Sequence, residues 1–288
     1  MSTAAFSFDW YQATVRGAEL GAIREAVRGT WDGANFEVMK RAPHGYAFAQ
    51  RIRDGDDDVG FIWAGGMHDD PHVVFTSGSA VPGSKLLRSG FPEHIPTRLD
   101  VCRDHAAPGA YDVIQALMVE VARDRRVKIG TAGDHLLTFK GRSCMLGSAA
   151  SVVRGTAYDK AEELRQKFAG RPDILATVPE ELARLEFRCR PQTLEARRLA
   201  ALAEPVDLIG GASWARELIA KLDGVELDVF PMASAWRPSD HGRAYAAMLL
   251  QYSATLKRIY LDSGSWDCAG LQIGHDLAKL DASRKRGR

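Results

Sequence analysis

Tyr158-Asp159-Lys160 and the run Arg184-Leu185-Glu186-Phe187-Arg188-Cys189-Arg190 hold residue types suited to phosphodiester chemistry. A phenol ionises at about pH 10, so it becomes a nucleophile only where a cation or a metal-bound oxygen stabilises its phenolate. With a period of two, Arg154, Thr156, Tyr158 and Lys160 share one strand face, which predicts Arg154 and Lys160 beside the phenol. The same period puts Leu185, Phe187 and Cys189 on one face of the second run, and Arg184, Glu186, Arg188 and Arg190 on the other. The first face suits a core. The second offers one carboxylate among guanidiniums, which suits a phosphate and a metal ion. Arg98-Leu99-Asp100 repeats the arrangement, and Asp104 joins Asp100 if that strand persists. Hard divalent cations take oxygen ligands, so Glu186, Asp100 and Asp104 are the candidate metal ligands. The plainer readings are a half-packed surface tyrosine and a cross-strand ladder of ion pairs worth little energetically.

Other motifs point away from common chemistries. His68-Asp69-Asp70-Pro71-His72 reads as a polar turn, because Pro71 breaks the spacing that would bring the two histidines together. There is no His-x-His pair, Walker loop, GxGxxG or GxSxG. The cysteines Cys102, Cys144, Cys189 and Cys268 are scattered without a CxxC pair, which argues for reduced thiols and against a zinc ribbon.

The elements that would position these residues follow a long-period order. The first part reads as a strand (8–15), a helix carrying Leu20, Ile23 and Val27, and strands near 36–40, 46–52, 59–64 and 73–76. The second part repeats it: a strand at 97–103, a helix at 110–123 with Val113, Ile114, Leu117, Met118 and Val121 at core spacing, and strands near 136–140, 142–146, 152–158 and 182–190. Two pseudo-symmetric antiparallel sheets, each backed by a helix, are expected, with a boundary around Pro92 to Pro96. From Gln192 the pattern turns helical, with helices around Leu194–Leu202, Trp214–Leu222 and 242–260, then a frayed basic end. The expected class is α+β, divided into a sheet-and-helix lobe (1–95), a catalytic sheet-and-helix lobe (96–191) and a helical region with a basic tail (192–288).

Composition sets bounds on partners. With 288 residues and 45% hydrophobic content the chain can bury a full core. No apolar run reaches the ~20 residues of a membrane span, and Met1 to Trp10 shows no secretory signal, so a cytoplasmic protein without a membrane partner is expected. The formal charge is only +1, so a polyanion ligand is not demanded. Acid gathers at Asp54–Asp58 and Asp69-Asp70, whereas 123–198 and the last five residues are basic, which allows a local cationic surface.

Taken in order, Asp9-Trp10, Thr97-Arg98-Leu99-Asp100-Val101-Cys102-Arg103-Asp104, Gly147-Ser148, Ser151, Tyr158-Asp159-Lys160 and Arg184-Leu185-Glu186-Phe187-Arg188 resemble the replication initiation factors of rolling-circle plasmids and phages, a family that includes relaxases of conjugative elements. The resemblance covers roughly residues 8 to 220. It implies a fold of two lobes like the TATA-binding protein and a tyrosine that nicks one DNA strand, with Mg²⁺ or Mn²⁺ on carboxylates. By it, Tyr158 is the nucleophile with Lys160 and Arg154 beside it, Glu186 and Asp100 are metal ligands, and Arg184, Arg188 and Arg98 contact DNA. Origin DNA, single-stranded at the nick, is the implied partner, with a host helicase, a polymerase and a second copy of the chain as further candidates. One position departs from the family pattern: Thr156 stands where an arginine is usual, and Arg154 is its candidate substitute. The alternative reading is a regulator or replication accessory protein that binds DNA without nicking.

Overall fold

The computed structural model describes residues 5–66, 69–232, 245, 248–249 and 251–286, which form two compact units, Met1–Ala235 and Trp236–Arg288. The first contains a single ten-stranded antiparallel sheet, where two sheets were expected. Its strands are β1 (Ser7–Thr14), β2 (Ala34–Val38), β3 (Phe48–Asp54), β4 (Asp57–Ala64), β5 (His72–Thr76), β6 (Ile95–His105), β7 (Ile129–Ala132), β8 (Ser143–Leu146), β9 (Val153–Asp159) and β10 (Ala183–Cys189). They lie in the order β2-β3-β4-β5-β1-β6-β10-β9-β8-β7. The doubled order of strand, helix and four strands is present, with helices α1 (Leu20–Thr30) and α3 (Ala110–Arg125) after β1 and β6. The halves merge because β1 and β6 pair along most of their lengths, from Ser7 opposite Cys102 to Thr14 opposite Ile95.

Alternation decides which face carries what. On β10, Leu185, Phe187 and Cys189 are fully buried and Arg184, Glu186 and Arg188 are partly exposed, as the period of two requires. The buried set joins Val153 and Ala157 of β9, Leu99 and Val101 of β6, and Tyr11 and Ala13 of β1 in one core. Helices close over that face: α1, α2 (Ala80–Gly90), α3, α6 (Leu194–Leu202), α7 (Pro205–Ile209) and α8 (Ser213–Asp223) all contribute to it. Two short helices, α4 (Lys160–Lys167) and α5 (Pro172–Leu175), bridge β9 and β10. Trp214 of α8 rests on Gly155, where a Cβ would sit 3.2 Å from the indole, so the strand that carries Tyr158 is seated by a residue with no side chain.

The sequence reading differs at several elements. Helix α2 was not among the expected elements. Pro82 falls in the first helical turn, where a proline is tolerated. Gly83 is required because a Cβ there would lie 2.2 Å from the Phe75 ring. Residues 136–140 form a loop, and β7 lies earlier, at Ile129–Ala132. In α3 the buried stripe is Ile114, Met118 and Val121, whereas Val113 faces solvent. In α6 the alanines Ala196, Ala200 and Ala201 face inward, and the leucines expected there are exposed. His72 is buried in β5 rather than lying in a turn, bonded to Gln12 and Thr14; His68 lies outside the described residues. Of the helix expected at 242–260, residues 242–244, 246–247 and 250 lie outside them and 253–260 are helical; the last two residues of the basic tail also lie outside them. In the second unit the helices Ser253–Ser263 and Trp266–Arg286 are described, and the stretch expected to fray is helical to Arg286.

Candidate active site

The face of the sheet turned away from the helices carries three adjacent rungs of polar side chains. The first aligns Ser143, Tyr158, Arg184 and Asp104 across β8, β9, β10 and β6. The second aligns Met145, Thr156, Glu186 and Cys102, and continues to Ser7 of β1. The third aligns Arg154, Arg188, Asp100 and Trp10. Strands lie about 4.8 Å apart and successive rungs about 6.7 Å, so Tyr158 and Glu186 are diagonal neighbours.

Most carboxylates here are tied to arginines. Arg184 grips Asp104 with both arms of its guanidinium, Nε to Oδ1 at 2.6 Å and a terminal nitrogen to Oδ2 at 2.8 Å; its other terminal nitrogen holds Asp9 at 2.9 Å. Asp9 reaches this point because a bulge between Phe8 and Trp10 offsets β1 against β6. Asp100, only 2% exposed, is held in a fork by Arg98 and at 3.3 Å by Arg188. Arg98 in turn lies 4.3 Å from the centre of the Trp10 ring. The ion-pair ladder is therefore real for Asp100 and Asp104.

Glu186 stands outside that ladder. Among the described residues its carboxylate accepts no hydrogen bond, and its one ion pair is a long contact with Arg188 at 4.0 Å. Burial, then the charges of Asp100 and Asp9, push its carboxyl up to about 7. A carboxylate held at such cost beside two other acids suits a hard divalent cation in donor type. No three residues among His, Cys, Asp and Glu converge into a ready metal-holding cluster among the described residues. A cation at Glu186 would therefore draw further oxygens from Asp100, from Asp9 or from a ligand.

The titration of Glu186 predicts a pH effect on stability. Its folded carboxyl is raised from 4.5 to about 7, so the folded state binds the extra proton between those values. Stability is greatest below that window and is lost as pH rises through it. Without divalent metal, Glu186→Gln should melt higher than the parent by about 3–6 °C at pH 8, equivalent to ~1–2 kcal/mol, and at the parent's temperature at pH 4. Melting curves in chelator at both pH values check this, and equal curves at pH 8 refute the buried carboxylate.

Tyr158 is raised well above the ordinary phenol range, chiefly by burial. Arg184 is the charge that opposes this, while Glu163, Glu186 and Asp9 add to it. Its hydroxyl makes no hydrogen bond among the described residues. Arg184 is thus the cation acting on the phenol, a part expected of Arg154 and Lys160 from the residues alone. Arg154 lies on the rung of Arg188, and its guanidinium reaches Met145 Sδ at 2.9 Å. Lys160 begins α4 rather than extending β9. Its ammonium stands 5.6 Å from the Tyr158 ring centre and 2.9 Å from Glu163. The strand ends there because the Asp159 carboxylate accepts the Glu162 amide and caps α4.

Two further features were given no functional role from sequence. Arg190 continues the polar alternation beyond β10, and its guanidinium is depressed by burial and by Arg188, Arg98 and Arg154. Those four arginines form a cationic end to the face, with Asp100 as the anion among them. On β4 and β5 the same face holds an aromatic group in which Trp63 stacks on His72 at 5.3 Å and also meets Tyr46. Their spacing in sequence carries no sign of that meeting, which depends on strand pairing.

Among solved structures, the chain is similar to one titled "Structure of Rolling Circle Replication Initiator Protein from Geobacillus stearothermophilus". The TM-score is 0.51 at 16% identity, over 78% of this chain and 98% of the other. The likeness is one of fold, and it agrees with the family that the ordered motifs resemble. No family model matches the chain, and no curated protein matches it.

Proposed function

We propose that this protein initiates rolling-circle DNA replication by nicking one strand of an origin with Tyr158. The observation that carries the reading is the meeting of Tyr158, Arg184 and Glu186 on adjacent rungs of one polar face. The fold likeness to a rolling-circle initiator supports it, and the doubled strand order on either side of β1 and β6 supports a two-lobed, TATA-binding-protein-like arrangement.

In this reading a single strand lies along the face, its phosphates held by Arg98, Arg154, Arg188 and Arg190. The Tyr158 oxygen attacks phosphorus as its proton leaves to solvent, and Arg184 stabilises the developing phenolate. The new bond joins tyrosine to a 5′-phosphate. The broken bond releases a 3′ oxygen, which takes up a proton and becomes the primer hydroxyl. Glu186 and Asp100, with Asp9 near them, would hold Mg²⁺ or Mn²⁺, which when bound supplies polarisation of the scissile phosphate. Asp104, gripped by Arg184, orients that arginine. Lys160 packs over the ring and fixes its position. The phosphotyrosyl bond keeps the energy of the broken ester, so a later hydroxyl can rejoin the strand.

Origin DNA of a plasmid or phage is the partner this reading requires, with a helicase, a polymerase and a second copy of the chain as further partners, all in the cytoplasm. No described helix is long and apolar enough to cross a membrane. The test is incubation with labelled single-stranded oligonucleotides and Mn²⁺, which should yield a denaturation-resistant protein–DNA adduct. Absence of adduct across a panel containing the protein's own origin would transfer the assignment to a non-nicking regulator. The ion-paired state of Asp100 and Thr156 at the usual arginine position favour that second reading.

The cationic end makes a separate prediction. Single-stranded DNA affinity should fall steeply with salt, and Arg188→Ala and Arg190→Ala should each lower the slope of log K against log salt by about 0.7. Fluorescence anisotropy titrations between low and moderate salt measure it. Unchanged slopes would place the backbone elsewhere.

A further inference from the structure

The loop from Gly133 to Arg142, between β7 and β8, is built to hold one shape while showing apolar side chains to water. The Asp134 carboxylate accepts the amides of Leu136 at 2.9 Å, Leu137 at 2.9 Å and Thr138 at 2.8 Å, and the Thr138 hydroxyl at 2.8 Å. These bonds hold its carboxyl well below the usual carboxylate range. The Asp134 amide closes the loop on Lys140 O at 3.0 Å. Gly133, at φ +87°, passes so near Gly141 that a Cβ would lie 2.2 Å from its carbonyl oxygen. At the base, Arg142 lies over Tyr111 at 4.5 Å and Phe139 at 5.5 Å, and bonds Asp112 at 2.6 Å. On this fixed frame Leu136 is 83% exposed, Leu137 85% and Phe139 53%. Keeping such area in water is unfavourable, and nothing in the loop's own hydrogen bonding requires leucine at either position.

The position of the loop indicates what it meets. Ser143, the first residue of β8, pairs with Tyr158, and Arg142 O accepts the Asp159 amide at 3.2 Å. The apolar tip therefore rises from the strand next to the candidate nucleophile, with Lys140 exposed at its base and Arg142 tied to Asp112 beneath it. We propose that this hairpin tip is a wedge for a DNA junction. Leu136 and Leu137 would stack on, or insert beneath, the last base pair of a duplex, so that the strand continuing past it reaches Tyr158 unpaired. Apolar side chains that unstack base steps, flanked by cations on the phosphates, are an established means of opening or kinking DNA. The inference rests on the reading of the Tyr158 face as a DNA surface and adds the form of the DNA, a duplex adjoining a single strand.

The test uses the full chain and a hairpin oligonucleotide with a single-stranded arm, carrying 2-aminopurine in the terminal base pair. Binding should raise the 2-aminopurine fluorescence. L136S/L137S should lose that rise and about 10-fold of junction affinity, while keeping its affinity for the arm sequence alone. Because both side chains are exposed and Asp134 holds backbone amides, the variant should keep the parent circular dichroism and melting point. Equal fluorescence and affinity for parent and variant on the junction would overturn the wedge. So would a variant effect seen only on self-association in sedimentation or on flotation with anionic vesicles, which would mark a protein or lipid contact. Adduct formation on the arm oligonucleotide is scored separately. A leucine-dependent junction signal without adduct upholds the wedge and removes nicking, and adduct without that signal does the reverse.

Discussion

Tyr158→Phe should abolish the covalent DNA adduct, to at least ~10³-fold below the parent, while leaving DNA affinity and melting temperature nearly unchanged. The magnitude follows from removing the nucleophile itself, since no other group at that position can form the ester. The small effect on stability follows because the hydroxyl has no described hydrogen-bond partner and the ring, with Lys160 5.6 Å from its centre, remains. Denaturing gels after Mn²⁺ incubation provide the readout. An adduct that survives in the Phe variant would refute the role of Tyr158. Attention would then move to Tyr46, because Tyr11 and Tyr111 are buried in the helix-side core and Tyr11 is bonded to His94 at 2.8 Å.

Glu186→Ala should lower adduct formation by about 10²-fold at low Mn²⁺ and recover part of it at high Mn²⁺, because a ligand is lost while the nucleophile stays. Asp104→Ala should behave differently. It releases Arg184 from its fork and should lower the rate at every metal concentration, with no shift in the Mn²⁺ dependence. Mn²⁺ titration of the adduct yield for the two variants separates a ligand from a positioning residue. If Asp104→Ala shifts the Mn²⁺ midpoint and Glu186→Ala does not, Asp104 is the ligand and Glu186 the positioning residue.

The strand alternation was legible because a period of two survives whatever the neighbours are. Arg184, Glu186 and Arg188 face away from the core as the residues alone imply. What a single strand cannot show is its partner. Asp104 and Arg184 meet only through the β6–β10 register, so the ladder and the isolation of Glu186 appear together in the structure and in neither segment alone. Lys160 does stand beside the Tyr158 ring, 5.6 Å from its centre, but by a route that an unbroken strand would not give, whereas Arg154 lies on the rung of Arg188. The cap made by Asp159 ends the strand, and Lys160 reaches the ring from the first turn of α4. Helix α2 was hidden because Pro82-Gly83 carries the signature of a turn, while its actual reason, contact with Phe75, lies on another element. Apolar residues also misled where burial depended on orientation: Leu136 and Leu137 suggested a strand, and the positive φ at Gly133 and Gly141 belongs to a loop.

The merging of the halves through β1 and β6 also bears on how the chain is made. During synthesis β6 is complete at His105, and its second neighbour, β10, does not follow until Ala183. For that interval one long side of β6 is an open template for pairing with other nascent chains. Its sequence answers that hazard, since Arg98, Asp100, Arg103 and Asp104 interrupt the apolar positions with charge of both signs. Asp100 and Asp104, proposed above for the metal site and for orienting Arg184, would thus serve earlier as guards against aggregation. Replacing them would burden the yield of folded protein before it altered any reaction.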